Sequence, residues 1–419
     1  MGRRLRGQEP PRLRDRHQHR RPPGTAHRRR HRGAREGALP RPLQVAGGNA
    51  VIDVAEVQGS EPSVRAPEIA AGAYRRSRLA VLGPLALAAA LLVLVLGFAL
   101  TQGAAAIPPG TALALLVQRL PFVHLGVSAP DTWERIVIDV RLPRVLAAAL
   151  VGGGLAFSGA AYQGVFRNPL AEPYLLGVAA GAAFGAAIAH VLPLPTGSYG
   201  FGWVPLCAFG GAAVAVLGAY LVARAGAAVS NATLILAGVA ISAIFGSVTS
   251  FILLTGGQRA QPVFAFLFGS FNTASWERLL IGAPYVVLGA LVVGAHGRIL
   301  NVLQLDEEQA AQLGVDVTRT KLIVLAAASL VAATAVAIAG VIGFVGLIVP
   351  HAVRMLFGGD YRRLLPLTAL LGASFLVLAD VLSRSLLAPQ EVPVGIVTAL
   401  TGAPFFLYLL RARRVDGLR

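Results

Sequence analysis

Arg141 and Arg144, three residues apart in RLPR, and Arg384 in ADVLSR are the residues of this 419-residue chain best suited to gripping an acid. A guanidinium presents a fork of N–H donors and can hold a carboxylate at two points. Such groups serve either a partner's carboxylates or acids of the same chain, and Asp139 and Asp380 are the internal alternatives. Covalent chemistry finds no comparable set. A phosphate-cradling loop ends in Gly-Lys-Ser/Thr, and the single lysine, Lys321, stands between Thr320 and Leu322. No ATPase can be built from that. His124, His190, His296 and His351 lie on separate segments and the other four histidines in the N-terminal tail, so no metal site is expected. Cys207 stands alone, which excludes a disulfide framework. Neither a catalytic residue nor a cofactor is expected.

The elements that must position these arginines are membrane spans. A chain that is 55% hydrophobic and 14% charged, with a mean hydropathy of +0.66, cannot hide its apolar surface in one soluble core. Apolar runs long enough for a bilayer lie near residues 79–101, 143–163, 174–193, 203–223, 232–254, 278–296, 320–340, 341–357, 364–386 and 393–411. The eighth is short, and the Pro/Gly content of the tenth suggests that its first turns form a separate short helix. Between the first two runs, IPPG and TALALLVQRL read as a short amphipathic helix on the outer face. Glu172, Asp380 and Glu391 fall at or near the ends of runs. An ion-driven carrier would want an acid in mid-span, so that class is disfavoured.

Arginine and lysine favour the cytoplasmic flanks of spans. With the N-terminus inside, fifteen basic residues flank the inner ends and seven the outer: Arg119, Arg135, Arg141, Arg144, Arg259, Arg278 and Arg384. Both termini are therefore expected in the cytoplasm, and the outer seven need another reason to be there. The net charge of +17 does not signal nucleic acid, because residues 1–78 hold 18 arginines against 7 acids. That stretch reads as a basic, disordered extension, and residues 79–419 as the membrane domain.

Three segments on the inner side carry unusual polarity. RNPLAEP, with Asn168 and Pro169, interrupts the apolar pattern after Gln163, and such backbone survives at a membrane boundary only when buried in protein or lining a wet path. VSNATLILAGVA offers Ser230 as an N-cap, followed by Asn231 and Ala232. LNVLQLDEEQAAQLGV places acidic Asp306 and Glu307 at the start of a short helix, apolar Leu303, Ala310 and Leu313 along it, and Gly314 at its end. A helical protrusion of this kind suits a partner's groove.

Taken in order from Arg141 to the C-terminus, RLPR, GAAYQGVFRNPLAEPYLLG, the 300–315 segment, GFVGLIVPHAVR and the Pro/Gly-rich end resemble the permeases of FecCD/BtuC-type ABC importers. The resemblance implies an all-α polytopic protein of about ten spans that forms a homodimer in the bacterial inner membrane. It also implies two ATPase subunits inside and an extracytoplasmic substrate-binding protein outside. Arg141, Arg144 and Arg384 would dock that binding protein. Leu303, Asp306, Glu307, Ala310, Leu313 and Gly314 would couple to the ATPase, although the family usually has glycine where Asp306 stands. Gln163, Asn168, Pro169, Ser230, Asn231 and Ala232 would belong to the gate and pathway. The cargo implied is a ferric siderophore, with cobalamin and haem as rivals, and nucleic acid is not an expected partner.

Overall fold

A computed structural model of the chain describes residues 66–103, 105–119, 126, 129–192, 202–225 and 230–416. The extension read in residues 1–78 lies outside them up to residue 65, as do His124 and the side chain of Arg259. The described elements are α1 (Ala66–Thr101), α2 (Pro109–Val117), α3 (Asp131–Arg135), a π-helical stretch (Ile136–Arg141), α4 (Leu142–Phe166), α5 (Val178–Val191), α6 (Trp203–Arg224), α7 (Asn231–Thr255) and α8 (Gln261–Phe268). They continue with α9 (Trp276–Ala295), α10 (Gly297–Val302), α11 (Glu307–Gln312), α12 (Val317–Ala339), α13 (Val345–Phe357), α14 (Tyr361–Ser385) and α15 (Val394–Asp416). Among the described residues, seven helices are long and apolar enough to cross a membrane, and Val178–Val191, Val345–Phe357 and Val394–Tyr408 are shorter apolar helices. Together they correspond to the ten runs read from the sequence. Two details differ: α1 starts at Ala66, inside the stretch assigned to the tail, and α15 runs unbroken from Val394 without a separate leading helix.

The spans divide into a hub and a periphery. Within the chain, 83% of the most apolar window of α4 and 78% of that of α12 is buried, against 17% for α7. The hub works because α4 is built of glycine and alanine. Apolar attraction between helices is weak in lipid, so close backbone approach and hydrogen bonding must hold them. A Cβ on Gly159 would stand 1.9 Å from the carbonyl oxygen of Gly346 in α13, so only hydrogen fits. Near it, Ser158 Oγ donates to Ala328 O at 2.7 Å, and the Tyr162 and Ser329 hydroxyls share a 2.6 Å bond, joining α4 to α12.

Between α12 and α13 the chain leaves the helix through Gly340, at φ +75°, and Phe344, at φ +69°. The freed backbone groups find partners. Val341 N donates to Phe266 O, Ser270 N to Ala339 O, Ile342 N to the Tyr174 hydroxyl, and that hydroxyl to Ile342 O. This satisfies the condition for non-helical backbone at membrane depth. The bundle's two ends can be named by residues: the Arg141 end, where α1 finishes and α4 begins, and the Asp306 end, where α4 finishes against the α10–α11 turn.

Candidate functional site

At the Arg141 end the three arginines face inward. Arg141, 4% exposed, donates through Nη1 to Leu100 O at 3.0 Å and through Nη2 to Ala105 O at 2.6 Å. Arg384 donates to Gln102 O at 2.9 Å and Ala99 O at 3.0 Å. Both thus cap the last carbonyls of α1, where a cation suits the negative end of the helix dipole. Arg144 forks over Asp380 at 2.8–3.2 Å and over Glu391 at 2.9–3.0 Å. Asp380, 1% exposed, also meets Arg384 Nε at 3.3 Å. Of the internal alternatives, Asp380 is therefore used, whereas Asp139 is exposed and joins none of the three. The expectation of outward guanidiniums needs correction for Arg141 and Arg384. Their terminal nitrogens donate to carbonyls at and just past the end of α1, which the sequence could not reveal because no motif marks a carbonyl acceptor. Arg144, with Glu391, is the part of the cluster that touches the surface.

At the Asp306 end, α10, a tight turn and α11 form the expected helical protrusion, closed by Gly314 at φ +82°. Its residues divide by direction. Leu303 and Ala310 are buried and anchor it, while Leu313, Asp306, Glu307 and Gly314 are exposed. Gln304 Nε2 donates to Gly164 O at 3.1 Å, fastening the turn to α4. Glu307 Oε1 lies 2.6 Å from Lys321 Nζ, and Lys321 donates also to Asn231 Oδ1 at 2.9 Å. Arg167 reaches Leu305 O at 2.9 Å and Asp306 at 3.2 Å. One continuous polar chain therefore runs from the end of α4 through the protrusion to the start of α7. Sequence reading missed Arg167 and Lys321 as its links. The sole lysine of the chain was the available signal.

The remaining candidates have structural partners. Ser230 and Thr233 form a reciprocal N-cap on α7: Thr233 N donates to Ser230 Oγ at 3.1 Å and Ser230 N to Thr233 Oγ1 at 2.9 Å. Ala232 is exposed beside them. Asn168 Oδ1 accepts from Leu170 N at 2.9 Å, folding Asn168-Pro169 into a turn after the left-handed Arg167. Gln163 is buried against α13, its Nε2 3.4 Å from the carbonyls of Gly346 and Leu347, so it lines no open path in this conformation.

Glu172, in the loop between α4 and α5 and outside the spans, is half-buried, and among the described residues no side chain bonds its carboxyl. Burial pushes that carboxyl up from 4.5 to about 7. A carboxyl raised on folding leaves stability intact below its unfolded value and erodes it as pH rises towards the folded one. Glu172→Gln should therefore melt with wild type at pH 4.5 and a few degrees above it at pH 8. Parallel melting curves at both pH values would show that this burial has no thermodynamic effect.

A sequence model of the FecCD transport family matches residues 91–412. The chain is 44% identical over 328 residues to the cobalamin import system permease protein BtuC of Halobacterium salinarum, covering 75% of this chain and 87% of that protein. It is 39% identical to the hemin transport system permease protein HmuU of Yersinia pestis, covering 69% and 87%. With the Fe(3+) dicitrate transport system permease protein FecC of Escherichia coli it shares 38%, covering 68% and 85%. An ABC transporter structure described as metal-chelate type and inward-facing superposes with a TM-score of 0.67 at 33% identity, covering 78% of this chain and 98% of that one.

Proposed function

The chain belongs to the FecCD transport family, and from that premise we propose that it is the membrane permease that carries a ferric siderophore or related metal chelate into a bacterial cell. It is a transport permease of the ABC importer class rather than an enzyme by itself. Two separate ATPase subunits on the cytoplasmic side supply the energy, and an extracytoplasmic binding protein delivers the cargo. The Asp306 end faces the cytoplasm, with both termini. The permease works as a homodimer in the plasma membrane. The lipid-level face of α7, with Leu236, Ile244, Phe251 and Leu254 exposed among Ala240, Ala243 and Ser247, offers the close-packing surface for the second copy.

The observation that carries the reading is the polar chain at the Asp306 end. A force on exposed Leu313 and Glu307 reaches Arg167 at the end of α4 and Asn231 at the start of α7 through charged contacts of 2.6–3.6 Å. An ATPase closing on α11 would thus move the α4 and α7 ends together, and the gate and pathway role falls to Asn168, Pro169, Ser230, Asn231 and Ala232 around them. At the other end, acids of the binding protein meet Arg144, while Arg141 and Arg384 hold the surface in shape. Cobalamin is the rival cargo, since a relative named for cobalamin import is 44% identical.

Leu313→Arg sets a cation on the exposed apolar contact without touching the core. It should abolish co-purification of a P-loop ATPase and cut uptake of a ferric siderophore about tenfold or more, as loss of an interface anchor does, while the permease elutes as wild type. Retained ATPase binding would sink the coupling assignment. Uptake of cobalamin but not of any ferric chelate by the wild type would replace the cargo.

A further inference from the structure

Among the arginines at the Arg141 end whose side chains are described, Arg141 and Arg278 are turned inward without a carboxylate partner, and of the two only Arg141 has backbone carbonyls in its place. Arg141 is held by carbonyls, Arg144 and Arg384 lie against Asp380, Arg119 pairs with Glu134, and Arg135 is exposed. Arg278 stands in the first turn of α9, half-buried, and among the described residues the only acceptor for its guanidinium is Thr273 Oγ1. Beside the guanidinium lies a cavity of about 240 Å³. Its polar lining is His190 from the end of α5, Ser270, Asn272 and Thr273 from the loop before α9, and Arg278 itself, over an apolar floor from the end of α12.

We propose that this recess binds an oxyanion, a carboxylate or phosphate group, at the Arg141 end of the bundle. Its lining offers donors and no carboxylate. Thr273 Oγ1 accepts from Arg278, and Ser270 Oγ accepts from Asn272 N at 3.1 Å, so both hydroxyl protons remain free to point at a guest. The Asn272 side-chain amide adds N–H donors. A metal cation would find no hard anionic ligand here, and a neutral apolar guest would leave the guanidinium desolvated and unpaired. The oxyanion has two sources, a dissolved anion or a phospholipid headgroup, because the first turn of a span lies at headgroup level. The inference is independent of cargo and of the direction of transport.

Trp203 and Trp276 begin the two helices flanking the recess, so intrinsic fluorescence reports on it. The purified full chain in detergent is titrated at constant ionic strength with inorganic phosphate, with citrate, and with phosphatidylglycerol bicelles against phosphatidylcholine bicelles. A saturable response is expected, with half-saturation raised about tenfold or more in Arg278→Gln, largely restored in Arg278→Lys, and unchanged in Arg135→Gln. A response to phosphate or citrate identifies a dissolved anion; a response to phosphatidylglycerol alone identifies the lipid. Should Arg278→Gln not elute as a folded species, Asn272→Ala, at an exposed position, decides through a several-fold weakening. Equal titrations of wild type and variants, or no saturable response to any probe, overturn the proposal.

Discussion

Asp380→Asn is expected to leave little folded protein. The amide keeps the shape of the carboxyl but removes the charge shared by Arg144 and Arg384. Arg144 would keep only the partly exposed Glu391, and Arg384 would keep only backbone carbonyls. Breaking a buried pair by removing one partner costs about 3–5 kcal/mol, because the other charge stays in a poor solvent. The readout is the yield of monodisperse protein in size-exclusion chromatography and its apparent melting temperature in detergent. Asp380→Asn combined with Arg384→Gln should recover part of the loss, since it removes the stranded charge with its partner. A single variant as stable as wild type would show that the cluster does not hold α4 to α14. Arg141→Glu likewise sets a carboxylate against the carbonyls of Leu100 and Ala105, so it should misfold before it can report on docking.

The second large effect is expected at Gly159→Ala. One added methyl would sit 1.9 Å from Gly346 O and 2.5 Å from Gly346 C and Cα. The obstacle is backbone, so no side-chain rotation relieves it, and α4 must part from α13. Forced overpacking of this kind costs about 3 kcal/mol. The parting would also remove Gln163 from the carbonyls it sits against. Gly246→Ala, where nothing lies within 4 Å of the added atom, is the control, and it should melt within a degree or two of wild type. Equal melting temperatures for the two variants would mean that the crossing is looser than drawn.

Much of this was legible in the sequence. The ten apolar runs correspond to helices because the signal is length and apolarity, which need no partner to recognise. The Ser230 cap and the Gly314 stop were local, set within four residues. What escaped was direction. In a run apolar on every side, periodicity does not say which face meets a neighbour, so the inward turn of Arg141 and the burial of Leu303 and Ala310 could not be read. The short helix α8 went unmarked because eight residues give too little pattern between two spans. The link from Arg167 through Glu307 and Lys321 to Asn231 brings the ends of α4 and α7 to the 306–321 segment across 139 and 90 residues, and although the sole lysine marked one of its members, residue type does not say which partners it meets.

The pairing of Arg144 with Asp380 spans 236 residues, and that distance sets a schedule. At ribosomal rates of 5–20 residues per second, roughly 10 to 50 seconds separate the synthesis of the cation from that of its anion. Arg144 sits in the first turn of α4, where an unpaired guanidinium can reach water or headgroups in the meantime. The ion pair that ties α4 to α14 therefore forms late, after nearly the whole chain has been translated, and a truncation before Asp380 would leave α4 without it.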